Sequence, residues 1–177
     1  GAVTVALGSS SASGAEGSDS FGGFVNILGS SAGSSLIGDS NGNSITGGVG
    51  RDTVEGGLGA DTMIGGGGTD LLSYATATGA VTVNLSVFTA GGAEGSDSIS
   101  GFLNVLGGSA GDIITGDTND NIIDGGLGDD SLVGNGGTDT ISYVSATGAV
   151  TVDLSSSTAS GAEGSDSFGG FVNILGS

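Results

Sequence analysis

The sequence predicts an all-β fold, a solenoid of short parallel strands with about 18 residues per coil and no helices. Glycine makes up 41 of the 177 residues and proline is absent, so the glycines serve tight turns rather than a collagen-like helix. An apolar residue recurs once in every nonapeptide, which suits strands that each turn one side chain inward. Glycine at this density disfavours helices, because each glycine costs about 1 kcal/mol relative to alanine.

The clearest pattern is a run of three nonapeptides at residues 47–73, which read GGVGRDTVE, GGLGADTMI and GGGGTDLLS. Each has glycine at positions one, two and four, aspartate at position six and an apolar residue at position eight. The glycine-rich part can turn around an ion, and the rest of the nonapeptide can form a short strand. The pattern resembles the GGxGxDxUx repeat of the RTX (repeats-in-toxin) family. This resemblance implies a right-handed parallel β-roll, a form of β-solenoid, that binds calcium.

Longer repeats surround these nonapeptides. Residues 1–30 recur at 79–108 with substitutions and at 148–177 with three differences, so one unit covers 1–78, the next covers 79–147, and the two together make a super-repeat. We expect residues 1–177 to form one continuous roll within a longer tandem array. The predicted sub-blocks are a nonapeptide plus hexapeptide at 14–28, a nonapeptide block at 29–73 and a strand-rich coil at 74–91, then the same three at 92–106, 107–142 and 143–160, and the start of the next unit at 161–177.

The apolar position eight continues through the segments between the clear nonapeptides. A linker would have no reason to keep this phase, so one solenoid is favoured over several domains. Position eight is apolar throughout the chain and holds Val3, Ala12, Phe21, Ile27, Leu36, Ile45, Val54, Met63, Leu72, Val81, Ala90, Ile99, Val105, Ile114, Ile123, Leu132, Ile141, Val150, Ala159, Phe168 and Ile174.

Charge and composition argue against several classes of function. The net charge of −18, with Arg51 as the only cationic side chain, argues against nucleic acid or an anionic membrane as partner and favours cations. No run of about 18 apolar residues is present, so membrane insertion is not expected. Without His or Cys, a Ser-His or Cys-His nucleophile cannot be assembled, and the sequence predicts no enzyme.

The candidate metal ligands are the side chains at position six. Residues on the same side of the roll should lie two nonapeptides apart, which pairs Asp52 with Asp70, Asn43 with Asp61, Asp112 with Asp130 and Asn121 with Asp139, and pairs Asp97 with Asp112 across a shortened half-coil. The RTX pattern implies that these side chains and nearby glycine carbonyls bind several calcium ions. Calcium accepts six to eight oxygens in loose geometry, whereas zinc would lack its usual Cys or His ligands. The alternative is that the aspartates only cap glycine turns through hydrogen bonds.

The tandem units favour a structural role, because a spacer gains length from each copy. We expect a calcium-stiffened segment of an extracellular bacterial surface, matrix or filament protein, such as an adhesin, exported by type I secretion. The alternative is the calcium-triggered folding and secretion module of an exported toxin, protease or lipase. Ice binding is disfavoured, because position three holds Val49, Leu58, Gly67 and Leu127 rather than threonines. Unpaired strand edges would also allow further copies to join end to end.

Overall fold

The computed structural model describes residues 1–176, so Ser177, the last residue of the predicted block 161–177, lies outside the described residues. No helix that could cross a membrane is present in these residues. The described residues form 21 short strands joined by turns. In chain order they are β1 (Val3–Ala6), β2 (Ser11–Gly14), β3 (Gly17–Ser20), β4 (Asn26–Leu28), β5 (Ser35–Ile37), β6 (Ser44–Gly48), β7 (Thr53–Glu55), β8 (Thr62–Gly66), β9 (Leu71–Ser73), β10 (Val81–Asn84), β11 (Thr89–Gly92), β12 (Gly95–Ser100), β13 (Asn104–Leu106), β14 (Ile113–Thr115), β15 (Ile122–Asp124), β16 (Ser131–Val133), β17 (Asp139–Ser142), β18 (Val150–Asp153), β19 (Thr158–Gly161), β20 (Gly164–Gly169) and β21 (Phe171–Leu175).

The strands form two sheets that share one apolar core. Outside three hairpin regions the chain changes sheet after every strand, so neighbours within a sheet are one coil apart and run parallel, as β6 and β8 do. These stacked parallel strands, with no helix in residues 1–176, confirm the predicted all-β parallel roll. The ten-stranded sheet has the order β21-β17-β15-β13-β9-β7-β5-β1-β2-β3, and the eleven-stranded sheet has the order β18-β19-β20-β16-β14-β10-β11-β12-β8-β6-β4.

The position-eight side chains build the core in the parallel part of the roll. Each lies in register with its counterpart one coil away, because every short strand turns its middle side chain inward. In the ten-stranded sheet one ladder is at most 1% exposed and consists of Leu36, Val54, Leu72, Val105, Ile123 and Ile141. In the eleven-stranded sheet a second ladder joins Ile27, Ile45, Met63 and Ile99.

Three segments depart from the coil pattern and fold as antiparallel meanders, namely β1 to β3, β10 to β12 and β18 to β20. The sequence predicted a coil of two half-coils at 74–91, but β10 turns back on β11 instead. Val83, not Val81, therefore stands beside Ile114 in the ladder. Val81 faces Gly92 across the hairpin, although both valines are buried.

The extra nonapeptide GGVGRDTVE determines which sheet carries the next meander. The first unit has six single strands between meanders, β4 to β9, whereas the second has five, β13 to β17. Because the chain changes sheet at each strand, the first meander lies in the ten-stranded sheet and the other two lie in the eleven-stranded sheet. Insertion of one nonapeptide therefore moves a three-stranded element from one side of the roll to the other.

Candidate metal centre

The position-six side chains fall in two rows, which we name by the sheet that their strands enter. Row A, at strands of the ten-stranded sheet, consists of Ser34, Asp52, Asp70, Asn121 and Asp139, whereas Asp19, at the same position in β3, is exposed and is left out of the row. Row B, at strands of the eleven-stranded sheet, consists of Asn43, Asp61, Asp97, Asp112, Asp130 and Asp166. All members of both rows are at most 6% exposed. Aspartates so deeply buried need partners, since burial of an unpaired carboxylate is costly.

One oxygen of each aspartate ties neighbouring coils together. In every row aspartate except Asp112, Oδ1 accepts a hydrogen bond from the backbone N–H of the row residue one coil earlier, as from Asp52 to Asp70 at 2.8 Å and from Asp112 to Asp130 at 2.7 Å. The same bond joins Ser34 to Asp52, Asn43 to Asp61, Asp61 to Asp97, Asn121 to Asp139 and Asp130 to Asp166. The pairs predicted two nonapeptides apart are therefore adjacent in the structure.

The aspartates of the two rows differ in the hydrogen bonding of their second carboxylate oxygen, Oδ2. In five aspartates Oδ2 is fully buried and has no hydrogen-bond partner among residues 1–176: Asp52, Asp61, Asp70, Asp130 and Asp139. A buried oxygen that carries charge and accepts no bond costs free energy, and native proteins rarely leave such groups unsatisfied. These five oxygens therefore require a partner that the polypeptide does not supply.

The position-one glycines show where such a partner would sit. A Cβ built on Gly47 would lie 2.7 Å from Oδ2 of Asp52 and would also collide with the carbonyl oxygen of Gly65, in the next coil. The same holds one coil further along, where a Cβ on Gly65 would lie 2.8 Å from Oδ2 of Asp70 and collide with the carbonyl oxygen of Gly101. A carboxylate oxygen of one turn and a carbonyl oxygen of the next thus meet at one place. Only glycine leaves room there.

The other four predicted ligands have hydrogen-bond partners of their own. Oδ1 of Asn43 accepts the N–H of Asp39, and Oδ1 of Asn121 accepts the N–H of Asp117, both at 2.8 Å. Asp112 accepts the N–H groups of Val81 at 2.8 Å and Gly108 at 2.7 Å, one at each oxygen. Oδ2 of Asp97 accepts the Tyr74 hydroxyl at 2.9 Å.

The predicted pairing of Asp97 with Asp112 is wrong. Asp97 lies in β12, and its row neighbour is Asp61, which immediately precedes β8, while β11 and β10 separate β12 from β14. The prediction assumed that a parallel half-coil connects the two residues, whereas the chain forms antiparallel hairpins there.

Burial and like charge act together on these carboxyls. Burial, with smaller contributions from the charges of Asp166 and Asp112, raises the pKa of Asp130 to about 7. Burial likewise raises the pKa of Asp61, with a smaller contribution from Asp97, and that of Asp70, with a contribution from Asp52. A cation beside Oδ2 would favour the ionised form and remove this penalty.

Sequence reasoning left several buried polar residues out of the ligand set. Asp166 belongs to row B, and its Oδ2 accepts the Tyr143 hydroxyl at 2.9 Å. Burial raises the pKa of both tyrosines, Tyr74 and Tyr143, and the neighbouring aspartates raise it further. The hydroxyls therefore stay protonated and able to donate.

Glu55 and Asp124 were also missed, and both are 8% exposed. Glu55 accepts hydrogen bonds from the hydroxyls of Ser73 and Thr76, and Asp124 accepts equivalent bonds from Ser142 and Ser145. These bonds hold the chain where it leaves the parallel coils for a meander. The available signal was an acidic residue at position nine, repeated at the equivalent place in the second unit.

The chemistry of the unsatisfied oxygens suits calcium. Within residues 1–176, no three acidic side chains gather into a cage for an ion, so backbone carbonyls would have to supply many of the ligands. Calcium accepts such mixed carboxylate and carbonyl sets, whereas magnesium demands a tight octahedron and keeps several waters. All-oxygen donors without His or Cys also disfavour zinc.

Comparison with known proteins agrees with this chemistry. A sequence model of the RTX calcium-binding nonapeptide repeat, in four copies, matches residues 37–72 and 106–141. The two matched ranges contain all five aspartates whose Oδ2 is unsatisfied. No curated protein matches the chain.

Proposed function

Because the chain carries RTX calcium-binding nonapeptide repeats, we propose that it is a structural segment that calcium folds and stiffens, within an extracellular bacterial surface, matrix or filament protein. The observation that carries the proposal is the set of five buried, unpartnered Oδ2 atoms, placed at successive turns of the roll. When bound, calcium would supply positive charge and coordination at these oxygens.

The ligand assignment follows from this geometry. Oδ2 of Asp52 and of Asp70 would each share an ion with the carbonyl oxygen of a glycine in the next coil, Gly65 or Gly101. An ion held in this way cross-links two coils. Asp61, Asp130 and Asp139 likewise place Oδ2 beside their own position-one glycines, Gly56, Gly125 and Gly134, and each would bind an ion through that oxygen. Each ion would also offset part of a net charge of −18.

We assign this segment a structural role rather than a catalytic one. The buried carboxylates lie at periodic turn positions, and no pair is singled out by its surroundings as an acid and base would be. The module of an exported toxin, protease or lipase would use the same calcium chemistry. A catalytic domain in the full-length protein would favour that second role, and many further copies of the super-repeat would favour the spacer.

Pairing with further copies is supported by the sheet edges. In the middle copy of the repeated segment, β13 is paired on both sides, by β9 and β15. Its counterparts in the outer copies, β4 and β21, are the last strands of their sheets. An unpaired parallel edge can accept a strand of another copy in the same register.

Circular dichroism during a calcium titration tests the proposal. We expect the calcium-free chain to be largely disordered, because the ionised, unpartnered carboxylates oppose folding at neutral pH. Millimolar calcium should produce a β-sheet spectrum cooperatively, and EGTA should reverse it. The expected size of the effect follows from mass action. Each site stabilises the folded state by about 2.7 kcal/mol when the calcium concentration is 100 times the Kd of that site.

Magnesium at the same concentration is the matched control and should fold the chain far less. A roll already complete in EGTA and unchanged by calcium would contradict the proposal.

A further inference from the structure

The two tyrosines of the chain occupy equivalent places beside row B. Tyr74 is 2% exposed and donates its hydroxyl to Oδ2 of Asp97, and Tyr143 is 4% exposed and donates to Oδ2 of Asp166. Both hydrogen bonds are 2.9 Å long and span 23 residues. The contact is therefore part of the repeating design, because it recurs in both units with the same geometry.

Asp97 and Asp166 share their burial and their Oδ1 hydrogen bond with the candidate calcium ligands. Each is 4% exposed, and each accepts the backbone N–H of the preceding row residue at Oδ1, from Asp61 at 3.0 Å and from Asp130 at 3.1 Å. Only Oδ2 differs, since it is unpartnered in Asp61 and Asp130 but bonded to a phenol in the two residues that follow them.

The neighbouring backbone explains why these positions differ. Asp52 and Asp70 follow open glycine turns, and the next coil places a glycine carbonyl beside them. Asp97 instead lies inside β12, just after a hairpin in which Gly92 pairs with Gly95, and its neighbour on the far side is the antiparallel strand β11. No parallel turn follows to offer a carbonyl oxygen. A cation would be short of ligands there, whereas a single hydroxyl donor satisfies one oxygen.

We propose that Tyr74 and Tyr143 each end a stretch of row B where the roll enters a meander, with the phenolic hydroxyl taking at Asp97 and Asp166 the place that a calcium ion takes at the other aspartates. This inference rests on the proposed calcium binding and restricts the number of aspartates that bind an ion. Asp97, which the sequence pattern includes among the ligands, then holds no ion. The tyrosine lets a buried aspartate continue the row of Oδ1 hydrogen bonds into the meander without a metal.

Counting bound calcium in single variants by equilibrium dialysis tests the inference. Asp97→Asn and Asp166→Asn should bind as many ions as the unsubstituted chain. Asp61→Asn and Asp130→Asn, one place earlier in the same row, are the matched controls and should each bind one ion fewer. Loss of an ion from Asp97→Asn, as from Asp61→Asn, would overturn the inference and leave the proposed function standing. An unsubstituted chain that binds no calcium would overturn the proposed function as well.

A second measurement does not depend on whether an aspartate variant folds. The chain has two tyrosines and no tryptophan, so signals from tyrosine hydroxyls are few and assignable. In the calcium-saturated protein, proton NMR should show two hydroxyl resonances protected from exchange, and Tyr143→Phe should remove one of them and retain that of Tyr74. Rapid exchange of the Tyr74 hydroxyl in the calcium-saturated chain would mean that the ion has displaced it, which overturns the inference.

Discussion

Replacing Asp70 with asparagine is expected to weaken calcium binding strongly and yet to leave the calcium-free chain no less stable. The amide oxygen can still accept the N–H of Asp52, which lies 2.8 Å from Oδ1. The amide nitrogen, however, would put a hydrogen-bond donor in the place of the unpartnered Oδ2. We expect the calcium affinity of that site to fall at least about tenfold, which corresponds to about 1.4 kcal/mol.

Without calcium the same substitution removes a buried charge. Burial raises the pKa of Asp70, and the neighbouring charge of Asp52 raises it further, so the ionised carboxylate disfavours the folded state at neutral pH. Urea unfolding at saturating calcium should therefore show a loss of stability for Asp70→Asn, whereas the small β-sheet signal that remains in EGTA should not fall. Glu16→Gln, which removes one exposed charge near the first meander, should change neither condition appreciably. An unchanged calcium affinity in Asp70→Asn would indicate that Asp70 only caps its turn.

Replacing Ile114 with alanine is expected to cause one of the largest losses of stability that a single apolar substitution can cause in this fold. Ile114 is fully buried and lies in register between Val83 and Leu132, where the second meander rejoins the parallel coils. Truncation of such a side chain costs about 2 to 5 kcal/mol, because the cavity closes only partly. Urea unfolding at saturating calcium measures the effect, with the change seen in the midpoint rather than in the slope.

The adjacent residue offers a matched control within the same strand. Ile113 is 53% exposed and points to the other face of β14. Ile113→Ala should cost less than about 1 kcal/mol, within the range of strand propensity. Similar losses for the two variants would contradict the inward register of position eight.

The parallel part of the roll was predictable from the sequence because one apolar side chain in each nonapeptide, at position eight, marks the inward-facing position of a strand. Leu72 and Ile123 stand where the nonapeptide phase puts them, fully buried and in register with the coils on either side. The glycines restrict the alternatives, since the turn before Asp70 has room at Gly65 for a hydrogen only. Spacing and steric demand therefore point to the same structure.

The meanders were not predictable in the same way. The segment VTVN buries alternate side chains whether its neighbour is parallel or antiparallel, and the stretch 74–91 matches two half-coils in length only by coincidence. The chain reverses through a tight turn in which Phe88 adopts a φ of 61°, a conformation that its bulky side chain does not signal. A turn whose positive-φ position holds neither glycine nor asparagine is hard to recognise in a sequence.

The metal-site prediction depended on periodicity, which cannot distinguish a satisfied oxygen from an unsatisfied one. Asp61 and Asp97 occupy the same position of their nonapeptides and make the same Oδ1 bond. The difference lies in Tyr74, which reaches Oδ2 of Asp97 from 23 residues away. Such a contact depends on how the hairpin and the coil pack, so it becomes visible only when the side chains are placed.

Anomalous diffraction from crystals grown with calcium would locate the ions and test calcium binding between the coils most directly. We expect anomalous density beside Oδ2 of Asp52, Asp61, Asp70, Asp130 and Asp139, with glycine carbonyl oxygens among the ligands, and none beside Asp97 or Asp166. Turns without density in a fully folded, calcium-soaked roll would contradict calcium binding between the coils.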